Sequence, residues 1–335
     1  MDRPVMNPGF EPHAPSPLVR WTCRLTPLLT IPRWGVRILL FNLMGRRTDP
    51  QAEPRSAPSI VFRFVRRLCY RVLFLPLILC LMAAALVYFG THPPVVASAM
   101  DPTWRGIYYD PVNFVSEDHT KLDAWLIPVL DAQRVLIDRD KALRERHPAI
   151  VLVHDFGGSR DQMLPLAAPL HEAGYVVMVL ALRGSSMDGS AGSTFGLNES
   201  GDVKAAVEVL RKTAFVDSKR IAVLGLGAGA TAVLLAAQRD AGIAALVLDR
   251  PWHSFDDVLR DHISPSPAWL SFVRPFCQWT FEAAYGVNAS DINLTHSMSQ
   301  LQNRPSLIYD AAAITCLRVE KIPQIIAFLN ASLKK

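Results

Sequence analysis

Between Val72 and Gly90 the chain has no charged side chain, and before Lys121 it has no lysine. Its five cysteines (Cys23, Cys69, Cys80, Cys277 and Cys316) form no C-x-x-C pair, and its histidines form no cluster. Those spacings give no reason to expect a metal or another cofactor. A single Cys277–Cys316 disulfide stays open, since spacing alone does not decide it. Basic charge is scarce where a nucleic-acid partner would need it. Residues 1–71 hold twelve arginines against four acids, a surplus of +8, whereas the overall net charge is only +5. The long remainder is therefore slightly acidic, which argues against nucleic-acid binding.

The uncharged stretch, "VLFLPLILCLMAAALVYFG" at 72–90, has the length of a membrane span. At 1.5 Å per residue it covers roughly 28 Å, close to the ~30 Å hydrocarbon core. Pro76 is tolerable in such a helix. Arg63, Arg66, Arg67 and Arg71 crowd its N-terminal side, while the next charge beyond it is Asp101. The positive-inside rule then predicts a single-pass protein with a cytoplasmic N-terminus and an extracytoplasmic C-terminal domain. The lipid bilayer is its first expected partner. "ASA" at 97–99 fits a signal-peptidase site, but a 71-residue n-region favours an uncleaved anchor over cleavage after Ala99. The tail, 1–71, is basic and proline-rich, with ten of the 25 prolines in its first 58 residues, and is expected to be mostly irregular. Residues 33–45 read equally as an amphipathic helix on the inner membrane surface or as a local apolar patch.

From residue 91 to 335 the pattern changes to alternating strands and helices. Strands are expected at 106–118, 122–129, 149–156, 175–182, 220–226, 243–250 and 305–310. Helices are expected before Gly174 and, apolar, after the 225–230 corner, and amphipathic ones at 201–212 and 322–333. Continuous apolar runs such as "AIVLVHDF" suit strands buried on both faces. The class is α/β, a mostly parallel sheet flanked by helices. A Trp- and Phe-rich insertion at about 251–290 reads as a helical lid over one sheet edge, and "DRDKALRERH" at 138–147 as a solvated loop or short helix.

"GLGAGA" at 225–230 carries two chemistries. As G-x-G-x-x-A it would cradle a dinucleotide pyrophosphate, with Asp249 near the distance expected of a ribose-binding acid. As the corner G-x-S-x-G it would be a nucleophile elbow with glycine in place of serine. At least four strands precede it and too few follow it, so the elbow reading prevails and a nucleotide-binding oxidoreductase is a distant alternative.

In order along 106–333, "LVHDFGGSRDQ", "LRGSSMDGSAGSTFGLNES", "DSKRIAVLGLGAG" and "LVLDRPWHSFDDVL" resemble the α/β-hydrolase superfamily, in particular its membrane-anchored, serine-peptidase- and dienelactone-hydrolase-like branch. The resemblance implies that fold, shortened at its C-terminal end. It implies an oxyanion hole from the backbone N–H groups of Phe156 and Ala228. It also locates what is missing. Position 227, the nucleophile's place, is glycine. The acid's place falls near Ala313, just past Asp310, and no histidine follows His296.

Ser159, Ser185 and Ser186 lie on loops at the ligand face, and His154, His253 and His262 are candidate bases for a relocated mechanism. The plainer reading makes the serines turn contacts and His154 a brace, with Asp155 setting a negative charge beside the hole. The expectation is a pseudo-hydrolase binding a small acyl or peptide-like ligand, or an envelope protein partner. An active serine esterase or peptidase with a relocated nucleophile is the alternative.

Overall fold

The computed structural model describes residues 57–94, 98–129, 145–185, 192–263, 268–301, 304–309 and 319–334. Expectations for 33–45, most of 138–147, Ser186, Asp310 and Ala313 lie outside them, as do Cys23 and Cys316. The first described element is helix α1, Ala57–Thr91. It begins fifteen residues before the uncharged stretch, because "IVFRFVRRLCYR" contains no breaker and Pro58 stands in the first turn, where proline costs no hydrogen bond. Pro76 lies inside it. Within it, Phe64–Thr91 is long and apolar enough to cross a membrane by length and composition.

The seven described strands form one sheet in the order β1-β2-β4-β3-β5-β6-β7. β1 (Asp110–Val115) and β2 (Lys121–Ile127) are antiparallel to each other, and β2 is antiparallel to β4 (Val176–Leu180). β4, β3 (His147–Val153), β5 (Val216–Leu226), β6 (Ala245–Asp249) and β7 (Ser306–Tyr309) run parallel. The α/β expectation holds, with strand ends one to four residues inside those read from hydropathy for most strands. β2, β3 and β5 instead start one, two and four residues earlier, the last because Val216 pairs with His147 across a bulge.

The pleat sends alternate residues to opposite faces, and each face is covered by helices. On one side Val151, Val153, Met178 and Val223 pack against α3 (Glu199–Lys212), through Val203, Ala206, Val207 and Leu210, and against α4 (Ala228–Arg239). On the other, Ile150, Leu152, Val177 and Leu224 meet α2 (Leu164–Glu172) and α7 (Ile322–Leu333), the latter through Ile325 and Leu329. The 3–4 spacing of these helical residues is what makes each helix one-sided. A third cluster lies at the C-terminal edge of the sheet. It joins Ala83 and Val87 of α1 to α5 (Phe255–Val258) and α6 (Arg274–Tyr285), with Phe195 between them. Within 251–290, α5 and α6 are helical, and this cluster joins them to the end of α1.

Candidate active site

β5 turns into α4 through Gly227, whose backbone sits at φ +52°, ψ −116°, a conformation that only glycine adopts without strain. Its N–H donates to the Asp249 carbonyl at 2.8 Å. Gly225 and Gly229 are small because α4 crosses the strands closely. A Cβ on Gly225 would lie 2.5 Å from the Gly229 carbonyl oxygen, and one on Gly229 would lie 2.9 Å from the Val153 carbonyl oxygen. The corner has the geometry of a nucleophile elbow and no nucleophile.

A carboxylate fills the place instead. Asp155 Oδ1 accepts the Phe156 N–H at 2.7 Å and the Ala228 N–H at 2.9 Å, the two donors expected of an oxyanion hole. The second donor opens a twelve-residue helix, whose N-terminal partial charge also favours an anion. Charge-assisted bonds of this kind are roughly twice as strong as neutral ones. Asp155 Oδ2 lies 3.7 Å from Arg250 Nη2. Arg250 itself is held at φ +53°, with its N–H bonded to the Tyr309 carbonyl at 2.8 Å. A Cβ built on Gly227 would overlap this carboxylate. Asp155 is therefore the anion in the hole, where the sequence had it as a charge opposing one.

His154 is buried and braces the loop. Its Nδ1 lies 2.8 Å from the Asp155 carbonyl, and its Nε2 accepts the Leu182 N–H at 3.2 Å. Those partners define the Nδ1–H tautomer. Ser185 Oγ stands 3.0 Å from Nε2, a nucleophile-to-base distance, yet its proton goes to the Leu182 carbonyl at 2.7 Å. The ring has no free lone pair to act as a base. Ser159 bonds to Asp161 within its own turn. His253 is exposed on the loop before α5. Asp155, Phe156, Ser185 and Ala228 line, with His154 and the Pro93–Pro94 segment, a void of about 20 Å³. That is room for about one water. Ser159 is outside it.

His262 closes the site from the insertion. Its ring lies 4.9 Å from that of Phe156, 5.5 Å from Phe195 and 5.1 Å from Trp252. Burial lowers the pKa of both His262 and His154 below the usual 6.5. A base whose folded pKa is depressed contributes full stability above its unfolded value and loses it as the pH falls. Between about pH 7 and pH 5 each histidine kept neutral should therefore cost up to about 1.4 kcal/mol per pH unit. His262→Phe should flatten the slope of unfolding free energy against pH over that range. An unchanged slope would mean that the folded ring takes up its proton as readily as the unfolded one.

Three groups support the site in roles that the sequence did not assign to them. Glu199, 1% exposed, accepts from Ser193 Oγ, Thr194 N and Oγ1, and Gly196 N at 2.6–2.9 Å, and so holds the loop that carries Phe195. Arg183 joins Asp202 and Asp118. Asp249, also 1% exposed, carries an Oδ2 without a hydrogen-bond partner, and burial raises its pKa. An acid at a strand end was visible in the sequence. Its neighbours were not.

A model of the dienelactone hydrolase family matches residues 134–256, which run from before β3 to the start of α5. Two structures of an esterase from Pyrococcus furiosus are similar over 72% of this chain and 98–99% of theirs, at 22% identity with TM-scores of 0.53 and 0.51. An uncharacterized 31.7 kDa protein of Escherichia coli, from the traX-finO intergenic region, is 30% identical over 104 residues, 30% of this chain. The chain spans only about a third, 36%, of that relative's length. The strand order, the elbow between β5 and α4, and these likenesses agree: the chain has the α/β-hydrolase fold, and its 134–256 part resembles the dienelactone hydrolase family.

Proposed function

We propose that this protein is a membrane-anchored pseudo-hydrolase, an α/β-hydrolase domain that has given up turnover and serves by binding. The observation that carries the reading is the Asp155 carboxylate seated on the Phe156 and Ala228 N–H groups, against a glycine at the nucleophile's position. Acyl transfer needs a nucleophile, a base and an orienting group within mutual reach, together with an empty hole for the developing oxyanion. Here the hole is taken by an internal anion, Ser185 and His154 are committed to the Leu182 backbone, and the void beside them holds about 20 Å³.

So small a void favours a protein partner over a small acyl ligand. In this reading residues 1–71 form a cytoplasmic tail, 72–90 the span and 91–335 the domain on the far side, on the strength of the arginines before the span and the length of the uncharged run. The test is covalent. The full-length protein in detergent is incubated with an alkyl fluorophosphonate and assayed on short-chain p-nitrophenyl esters. Neither labelling nor turnover above the protein-free rate is expected. Stoichiometric labelling would overturn the proposal, and the labelled peptide would identify a relocated nucleophile.

A further inference from the structure

Helix α6 carries apolar side chains on its exposed side as well as on its buried one, and among the described residues only the buried side has a partner. Its inner face, with Cys277 and Phe281 preceded by Val273, lies in one buried apolar cluster with Ala83 and Val87 of α1. The contact is close. A Cβ on Gly90 would stand 2.8 Å from the Ile263 Cα, Tyr285 Oη donates to Thr91 Oγ1 at 2.7 Å, and the Ser193 N–H donates to the Thr91 carbonyl at 2.8 Å.

On the outer side Phe272, in the 3-10 turn that leads into α6, and Pro275, Trp279 and Ala283 of α6 follow one another at helical spacing, and all four are exposed. Phe272 is 54% and Trp279 62% exposed, unusual for side chains of that size. Arg274 and Glu282, the charged residues of the helix, border this face, and both have partners within the domain. Arg274 pairs with Asp256 at 3.7 Å, and Glu282 accepts from Gln278 at 3.1 Å and from the Ala289 N–H at 3.2 Å.

Depth decides what covers the outer face. If α1 spans a bilayer with its uncharged stretch, 72–90, in hydrocarbon, Ala83 lies about 10 Å below the exit, seven residues at 1.5 Å each. The cluster that α6 shares with Ala83 and Val87 then reaches below the membrane surface too. A large exposed apolar patch marks a membrane or partner contact, and tryptophan concentrates at the membrane interface.

We propose that the Phe272–Pro275–Trp279–Ala283 face of α6 is immersed in the leaflet from which α1 emerges, so that the domain lies on the bilayer rather than hanging from it on a tether. The inference rests on the reading of α1 as a membrane span, and the experiment separates the two. The full-length protein is reconstituted in phosphatidylcholine vesicles, with an environment-sensitive fluorescent amino acid incorporated at position 279, 77 or 115. Nitroxide lipids labelled near the glycerol or near the chain end serve as quenchers. Position 77 lies in the uncharged part of α1 and position 115 is exposed on β1.

The expected pattern is strong quenching at 77 by the deep nitroxide, quenching at 279 chiefly by the shallow one, and none at 115. Quenching at 77 with 279 behaving like 115 would overturn the immersion and leave the anchor standing. Absence of quenching at 77 would overturn both. A blue-shifted, unquenched signal at 279 that strengthens with the protein-to-lipid ratio would assign the face to a second copy of the chain, against the proposal.

Discussion

Gly227→Ser is expected to cost stability without yielding a labelled nucleophile. Two terms add. A residue with a Cβ at φ +52°, ψ −116° is strained by about 1–3 kcal/mol. Its Cβ also falls on the Asp155 carboxylate, which must leave the hole. Displacing it strips the Phe156 and Ala228 N–H groups of their acceptor, and each buried donor left unpaired costs about 1–3 kcal/mol. A loss of roughly 3 kcal/mol or more follows, a large part of the 5–15 kcal/mol that usually separates folded from unfolded domains. Adding Asp155→Gly should recover most of the steric part, because the carboxylate that occupied the space is gone. Denaturant midpoints of the two variants beside the parent, with fluorophosphonate labelling of each, test this. A single Gly227→Ser variant as stable as the parent and readily labelled would show that the Asp155 carboxylate does not occupy the hole.

That coupling explains why the sequence was legible only in part. The parallel strands could be read because "AIVLV", "VVMVL" and "ALVLD" are buried on both faces, and burial on both faces leaves a continuous apolar run that hydropathy detects. Position 227 could be located because glycines at 225 and 229 mark a helix passing close to a strand, a steric demand that survives the loss of chemistry. The role of Asp155 could not. The chain shows an acid where the resemblance implies glycine, but whether its carboxylate points away from the hole or into it is a side-chain rotation. That rotation is decided by the Ala228 N–H, 73 residues further along, and by Arg250 from a third strand. Ser185 and His154 mislead in the opposite way. Their residue types suit catalysis, and only the direction of the hydrogen bonds to the Leu182 backbone shows them occupied. Strand ends were read too long where side chains stay apolar after the ladder has ended, as at Ala181 and Leu182.

The largest stability effect away from the elbow should come from Arg183, in the turn after β4. Its Nε donates to both oxygens of Asp202 at 3.0 and 3.2 Å, its Nη2 reaches the same carboxylate, and its Nη1 reaches Asp118 in the β1–β2 turn. Asp202 also accepts the Arg183 backbone N–H at 3.2 Å, and its side chain is fully buried. One guanidinium thus ties the antiparallel edge of the sheet to α3 and to the turn beneath the site. Arg183→Met would leave the Asp202 charge buried with a single backbone donor. Breaking a buried pair from one side typically costs about 3–5 kcal/mol. Asp118→Asn should cost less than about 1 kcal/mol, because that carboxylate is half exposed and solvent screens the pair. Arg183→Lys should fall between them, since an ammonium cannot span two carboxylates in the forked geometry of a guanidinium. The decisive variant is Arg183→Met with Asp202→Leu, which removes both charges and should recover much of the loss, as apolar replacement of buried pairs often does. If Arg183→Met unfolds at the same denaturant concentration as Asp118→Asn, the buried pair does not hold this edge of the sheet in place. A double variant no better than the single one would mean that the bonds to Asp118 and the backbone, rather than the uncompensated Asp202 charge, account for the loss.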